Sequence, residues 1–141
     1  MYLLDTDHIS LIQRGGEAAI RIGNRLAALP EGEACVSVVS YEEQVRGWTA
    51  EIARTRAIAG QEAAYDRLLR TLDMFCLLPV LPFDGAAITE FQRLWLMRLR
   101  VGTLDLKIAA ISLANDATLL TRNTSDFARI PGLRFEDWSV Y

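Results

Sequence analysis

The sequence predicts an α/β domain with a mostly parallel central sheet flanked by helices, built as one domain over residues 1–141. Three observations carry that expectation. Short apolar runs alternate with stretches whose apolar residues recur at helical spacing. The chain is 51% hydrophobic over 141 residues, enough for a core without staples, and no linker, repeat or low-complexity segment divides it. Acids stand where apolar runs end and where helical stretches begin, as they do on the ligand-binding edge of open α/β sheets.

Residues 2–4 form an apolar run that stops at Asp5, as a buried strand would. Ala18, Ala19, Ile20, Ile22, Leu26 and Leu29 fall on one helical stripe, closed by Pro30 and Gly32. Residues 35–39 are rich in β-branched side chains and read as the second strand. Ser40-Tyr41-Glu42-Glu43 is a capping-box pattern opening a helix with Tyr41, Val45, Trp48 and Ile52 on one face. After a break at 57–60, Tyr65, Leu68, Leu69, Leu72 and Phe75 form a second stripe, so the two helices should pair antiparallel. Val80 and Leu81, held between prolines, allow only a short strand.

Asp84 is placed to cap a helix bearing Ala87, Ile88, Phe91, Leu94, Trp95 and Leu99. Thr103-Leu104-Asp105 starts a helix over 106–114 that is apolar nearly all round and should be central. Residues 117–121 read as a buried strand, 122–126 as a polar turn, and 133–135 as an edge strand.

Two cysteines in apolar settings, and no basic leader or bilayer-length apolar run, point to a reduced cytoplasmic protein with no membrane partner. The net charge of −3 argues weakly against nucleic acid. Lys107 is the only lysine. The arginines that supply the other positive charges suit phosphate recognition, and a codon-biased genome would give the same composition.

The topology brings Asp5, Glu43, Asp105 and Asp126 to one crevice, because strand C-termini and the following helix N-termini share one side of a parallel sheet. Four carboxylates there repel one another unless a cation neutralises them. Oxygen-only donors suit Mg²⁺ or Mn²⁺, whereas one His and scattered cysteines give no zinc pattern. Helix starts also favour acids: Ser40 precedes Glu43, Asn123 precedes Asp126 and Thr103 precedes Asp105 at capping distances. Capping does not account for Asp5 at the end of a strand.

Four segments in order resemble PIN-domain ribonucleases, specifically the VapC-type toxins of toxin–antitoxin pairs. They are Tyr2-Leu-Leu-Asp5-Thr-Asp7, the stretch 36–47 through Glu43 to Gly47, Gly102-Thr-Leu-Asp105-Leu-Lys107, and the stretch 119–133 through Asn123 and Asp126. Phe135-Glu-Asp-Trp138 also fits. The resemblance spans nearly the whole chain. It implies a PIN-like fold and metal-dependent hydrolysis of RNA phosphodiesters. Asp5 and Asp105 match the family's first and central metal-binding acids, and Asp126 takes the fourth acidic position. Glu43 is preferred to Glu42 because the family's acid sits four residues before the glycine, here Gly47.

In that reading Asp5, Asp105 and Asp126 hold Mg²⁺ (or Mn²⁺), Glu43 orients or deprotonates the attacking water, and Thr121 and Asn123 support the site. Lys107 and Arg122 are RNA-contact candidates, with Arg46, Arg54, Arg93, Arg98 and Arg100 as further options. The resemblance also implies a homodimer, and an antitoxin docked on the helices bearing Trp48, Ile52, Leu68 and Leu72. His8 reads as packing, Asp7 as a partner of the helix dipole, and Trp48 and Trp95 as core. Two other readings stand beside this one. One is a phosphatase with Asp5 as nucleophile and Asp7 as acid/base; the other is a PIN-like binding module whose acids only cap helices.

Overall fold

The structure is a computed structural model that describes residues 1–141. Five strands form one all-parallel sheet: β1 (Tyr2–Leu4), β2 (Ala34–Ser37), β3 (Val80–Leu81), β4 (Thr118–Leu120) and β5 (Arg134–Glu136), in the order β3-β2-β1-β4-β5. Leu3 lies opposite Cys35 on one side and Leu119 on the other, and Leu119 opposite Phe135.

A parallel sheet needs cover on both faces, and alternation along each strand supplies an apolar set to each. Leu3, Cys35 and Leu119 point into one core with α5 (Gly85–Leu96) and α6 (Thr103–Ala114), where Ala87, Leu94, Ile108 and Ile111 are fully buried. Leu4, Val36 and Leu120 point to the other face, against Ile9 of α1 (Thr6–Arg14), Ile22 of α2 (Glu17–Ala27), and Trp138. Phe75 joins them from α4 (Glu62–Leu77), which packs on α3 (Val38–Arg54). A 3₁₀ turn, Ile58–Gln61, links α3 to α4, and the Gln61 amide donates to the carbonyls of Ile52 and Thr55 at 3.1 and 2.9 Å. No helix is long and apolar enough to cross a membrane.

The first helical stretch divides differently from the periodicity. A separate α1 starts directly after β1, and Gly15 and Gly16, both at positive φ, break it from α2. Helix α3 begins at Val38, three residues before the Tyr41 that opens its expected apolar face. Its cap is Ser37, whose Oγ accepts from the Ser40 amide at 3.0 Å, so Ser40 is spent inside the helix. The β-branched run at 36–39 is therefore shared between strand and helix, tertiary packing overriding local propensity.

Asp84 caps α5 as expected, accepting from the Ala87 amide at 3.1 Å. The turn at 122–126 contains a short helix, α7 (Thr124–Phe127). Several residues expected in the core lie outside it. Trp95 is 57% exposed, and Tyr65, Leu69, Leu72, Ile20 and Ile88 are exposed as well. Each of α2, α4 and α5 buries only part of its apolar stripe, Ile22, Phe75 and Leu94 lying inside while these residues face out.

Candidate active site

The site is built on the C-terminal edge of β1 and β4. Capping does account for Asp5, contrary to the expectation: it follows β1 directly and is the N-cap of α1, its Oδ1 accepting from the Thr6 amide at 2.7 Å. Its Oδ2 accepts from Thr121 Oγ1, which follows β4, at 2.8 Å. A buried carboxylate thus spans two adjacent central strands. Asp105 stands in the first turn of α6, whose N-cap Gly102 offers no side chain to the helix amides. The Asn123 amide donates to Asp105 Oδ2 at 3.2 Å and to Asp126 Oδ2 at 3.0 Å, bridging α6 and α7. Arg129 closes the outer side of Asp126 at 3.1 Å. Glu43 projects from α3 toward α1 and accepts from Thr6 Oγ1 at 3.0 Å.

The electrostatics follow from this packing. Burial, then the neighbouring Asp7 and Asp105 carboxylates, push Asp5 up to about 7, against the opposing pull of its two hydrogen bonds. Glu43 and Asp105 are also raised, first by burial; Asp105 then presses on Glu43, and Asp126 and Asp7 on Asp105. Burial acts on Asp7 in the same sense, but the hydrogen bonds from His8 and the Arg122 amide outweigh it and hold Asp7 low.

All four acids expected from sequence therefore lie at this edge, as do Thr121 and Asn123. The two adjacent glutamates differ in position. Glu43 is half-buried toward Thr6, while Glu42 is exposed and pairs with Arg46 at 3.4 Å. The basic candidates are less concentrated. Lys107 lies over the Phe83 ring, 5.8 Å from its centroid. The Arg122 side chain is exposed, and only its backbone amide reaches the site, donating to Asp7 Oδ2 at 2.9 Å. Arg46, Arg54 and Arg93 are spent on glutamates of their own helices.

Sequence reasoning underrated Asp7 and His8. His8 is fully buried; its Nε2 accepts from the Trp138 amide at 3.1 Å, which leaves Nδ1–H to donate to Asp7 Oδ1 at 2.8 Å. Asp7 thereby holds the loop after β4 through the Arg122 amide. The signal available in sequence was two acids two residues apart at a strand-to-helix junction.

The donors suit a hard divalent cation. They are carboxylate oxygens, buried enough to resist ionisation and pressed by like charge, which a cation would relieve. No three acids converge on a single point. The arrangement fits an ion held by one or two carboxylates, with waters and a substrate phosphate completing its shell.

Comparison with known proteins agrees with this fold. The PIN domain family model matches residues 2–133. The chain is 28% identical over 142 residues to the tRNA(fMet)-specific endonuclease VapC of Shigella flexneri, covering 98% of each chain. Its fold superimposes on VapBC-1 from nontypeable Haemophilus influenzae with a TM-score of 0.79 at 22% identity, covering 99% of this chain and 98% of that one. It is similar as well to DNA-bound VapBC from Salmonella typhimurium, with a TM-score of 0.77 at 25% identity and 97% of each chain covered.

Proposed function

The chain belongs to the PIN-domain family and is a VapC-type ribonuclease, the toxin of a toxin–antitoxin system, and on that premise we propose that the acids at its sheet edge form a metal-dependent centre for hydrolysing RNA phosphodiester bonds. The observation that carries the reading is Asp5: a carboxyl buried between the two central strands, raised to about 7 beside Asp7 and Asp105. A fold does not keep such a group for stability, because its ionised form is costly where it stands.

Asp5 and Asp105 would hold Mg²⁺ or Mn²⁺, with Asp126 on the α7 side. The bound cation would supply Lewis-acid polarisation of the phosphate and ease ionisation of the attacking water. The protein's own groups do the rest. Thr121 fixes Asp5, and Asn123 sets Asp105 and Asp126 relative to each other. Glu43 orients the water and takes its proton on a carboxylate oxygen, its raised affinity for protons suiting it to that task. Arg122 and Lys107 are proposed RNA contacts. The same reading gives the protein an antitoxin partner, a homodimeric state and a cytoplasmic location.

Two observations favour this over the competing readings. A phosphatase needs Asp7 free as an acid, and it is held low by His8 and the Arg122 amide. A module whose acids only cap helices leaves Glu43 unexplained, since it faces Thr6 across a helix seam rather than its own helix start.

The test is cleavage of RNA by purified protein in Mn²⁺ or Mg²⁺. Activity should vanish with chelator and in Asp5→Asn, the fold being retained by circular dichroism. An unchanged rate in Asp5→Asn would overturn the assignment. So would Mn²⁺ binding, read by calorimetry, that persists in the Asp5→Asn/Asp105→Asn double variant.

A further inference from the structure

Helices α1 and α3 face each other along a seam that begins at the acids. Thr6 Oγ1 lies 3.1 Å from Ser40 Oγ, Gln44 donates to Ser10 Oγ at 3.3 Å one turn on, and Gln13 donates to Gln44 Oε1 at 3.0 Å. About two helical turns from Thr6, roughly 12 Å along α1, the seam opens into a cavity of about 480 Å³. It is lined by Ser10, Gln13, Arg14, Trp48, Arg67 and Arg70.

Behind the cavity's lining lies a buried polar network that Gln13 and Trp48 join. Thr71 is fully buried and donates to Gln44 Oε1 at 3.1 Å, and Trp48 Nε1 donates to Thr71 Oγ1 at 3.1 Å. Three arginines from two helices line the cavity itself. Arg70 is paired with Asp66 at 3.0 Å. Arg14 and Arg67 pair with no carboxylate. Arg67 lies instead over the Trp48 ring, 5.2 Å from its centroid. Like charges gathered around a concave polar surface make an anion site, and a planar fork suits phosphate.

We infer that this pocket is a subsite for the RNA backbone, in which Arg14 and Arg67 hold a phosphate a few nucleotides away from the bond cleaved at the acids. The inference rests on the ribonuclease reading and adds to it a direction for the strand, along the α1–α3 seam. It also gives an acidic protein a local cationic surface for RNA, in which two of the three arginines pair with no carboxylate.

Binding is measured apart from cleavage, in the Asp5→Asn background without divalent ion. The probe is a fluorescein-labelled, mixed-sequence single-stranded RNA of about twelve nucleotides, followed by anisotropy at low salt. The Arg14→Gln/Arg67→Gln pair should weaken binding on the order of tenfold. Each substitution alone should also reduce the slope of log affinity against log salt by about 0.7. Arg14→Lys should recover part of the affinity, and Arg56→Gln, a charge-matched change on an exposed loop, should leave affinity unchanged.

With Asp5 restored, the pair should raise KM for RNA while kcat is kept. Unchanged affinity and salt slope in the pair, with the melting temperature retained, would overturn the subsite. Loss of affinity for a purified antitoxin with RNA affinity intact would also overturn it, assigning the pocket to that partner. Failure of the cleavage reading shows separately, as absence of divalent-dependent activity in the unmodified protein.

Discussion

Two polar clusters lie side by side between α1 and α3, and they are built on opposite terms. In the one formed by Ser10, Gln13, Gln44, Trp48 and Thr71, every group is neutral and donors meet acceptors. In the other, one turn nearer the sheet, Asp5, Asp7, Glu43 and Asp105 press like charge on like charge, and three of the four are pushed upward. The first is complete within the protein and joins three helices. The second is left unbalanced, and a bound cation would relieve it. Cost without internal compensation marks the functional cluster more clearly than polarity or burial does, since both clusters are polar and partly buried.

The sharpest way to break the contrast is to neutralise the unbalanced cluster. Asp5→Asn should cut RNA cleavage by about a hundredfold or more. The same change should stabilise the protein above neutral pH in the absence of divalent ion. The folded-state value of Asp5, about 7, lies above the ordinary carboxyl value, so its stabilising protonated form is fully present at low pH and lost as pH rises through 7. At pH 8 the ionised group is a burden, and removing it should yield on the order of 1–2 kcal/mol in thermal or urea melts, after the loss of one accepted hydrogen bond.

The neutral cluster should respond in the opposite sense. Thr71→Val leaves Gln44, Gln13 and Trp48 short of a partner and should destabilise by about 2 kcal/mol in the same melts. The rise in melting temperature on adding Mn²⁺ should survive that change.

Protons and cations should compete at the first cluster. The apparent affinity for Mn²⁺, followed as its stabilisation of the fold, should be about tenfold weaker at pH 6 than at pH 8 because Asp5 must ionise to bind. The smallest effect separates adjacent glutamates. Glu42→Gln should stay within about 0.5 kcal/mol of the parent and keep its rate, since Glu42 is exposed and meets only Arg46. Glu43→Gln should lose most activity.

What was legible in the sequence was largely what topology dictates. Asp5, Asp105 and Asp126 reach one edge because parallel strands deliver their C-termini there, and Asp84 caps α5 because an acid before an amphipathic stripe has few other roles. The start of α3 was not legible: Ser37 and Ser40 both offer capping oxygens, and Thr6 settles the matter from another element by engaging Ser40. Nor was the fate of the apolar stripes. Helical spacing reports which residues share a face but not whether a layer covers it, so Trp95 and Leu72 are left about half exposed. The pocket arginines escaped for a similar reason. Arg14 lies on α1, Arg67 and Arg70 on α4, and only the packing of both against α3 makes them neighbours.

The bond from the Trp138 amide to His8 spans 130 residues of sequence. On the ribosome, His8 emerges early and Trp138 late. Until then His8 lacks the donor that sets its tautomer, Asp7 lacks its oriented partner, and the loop after β4 lacks an anchor. The His8–Asp7 pair and the loop after β4 thus take their final bonds only once the C-terminal stretch has docked on His8.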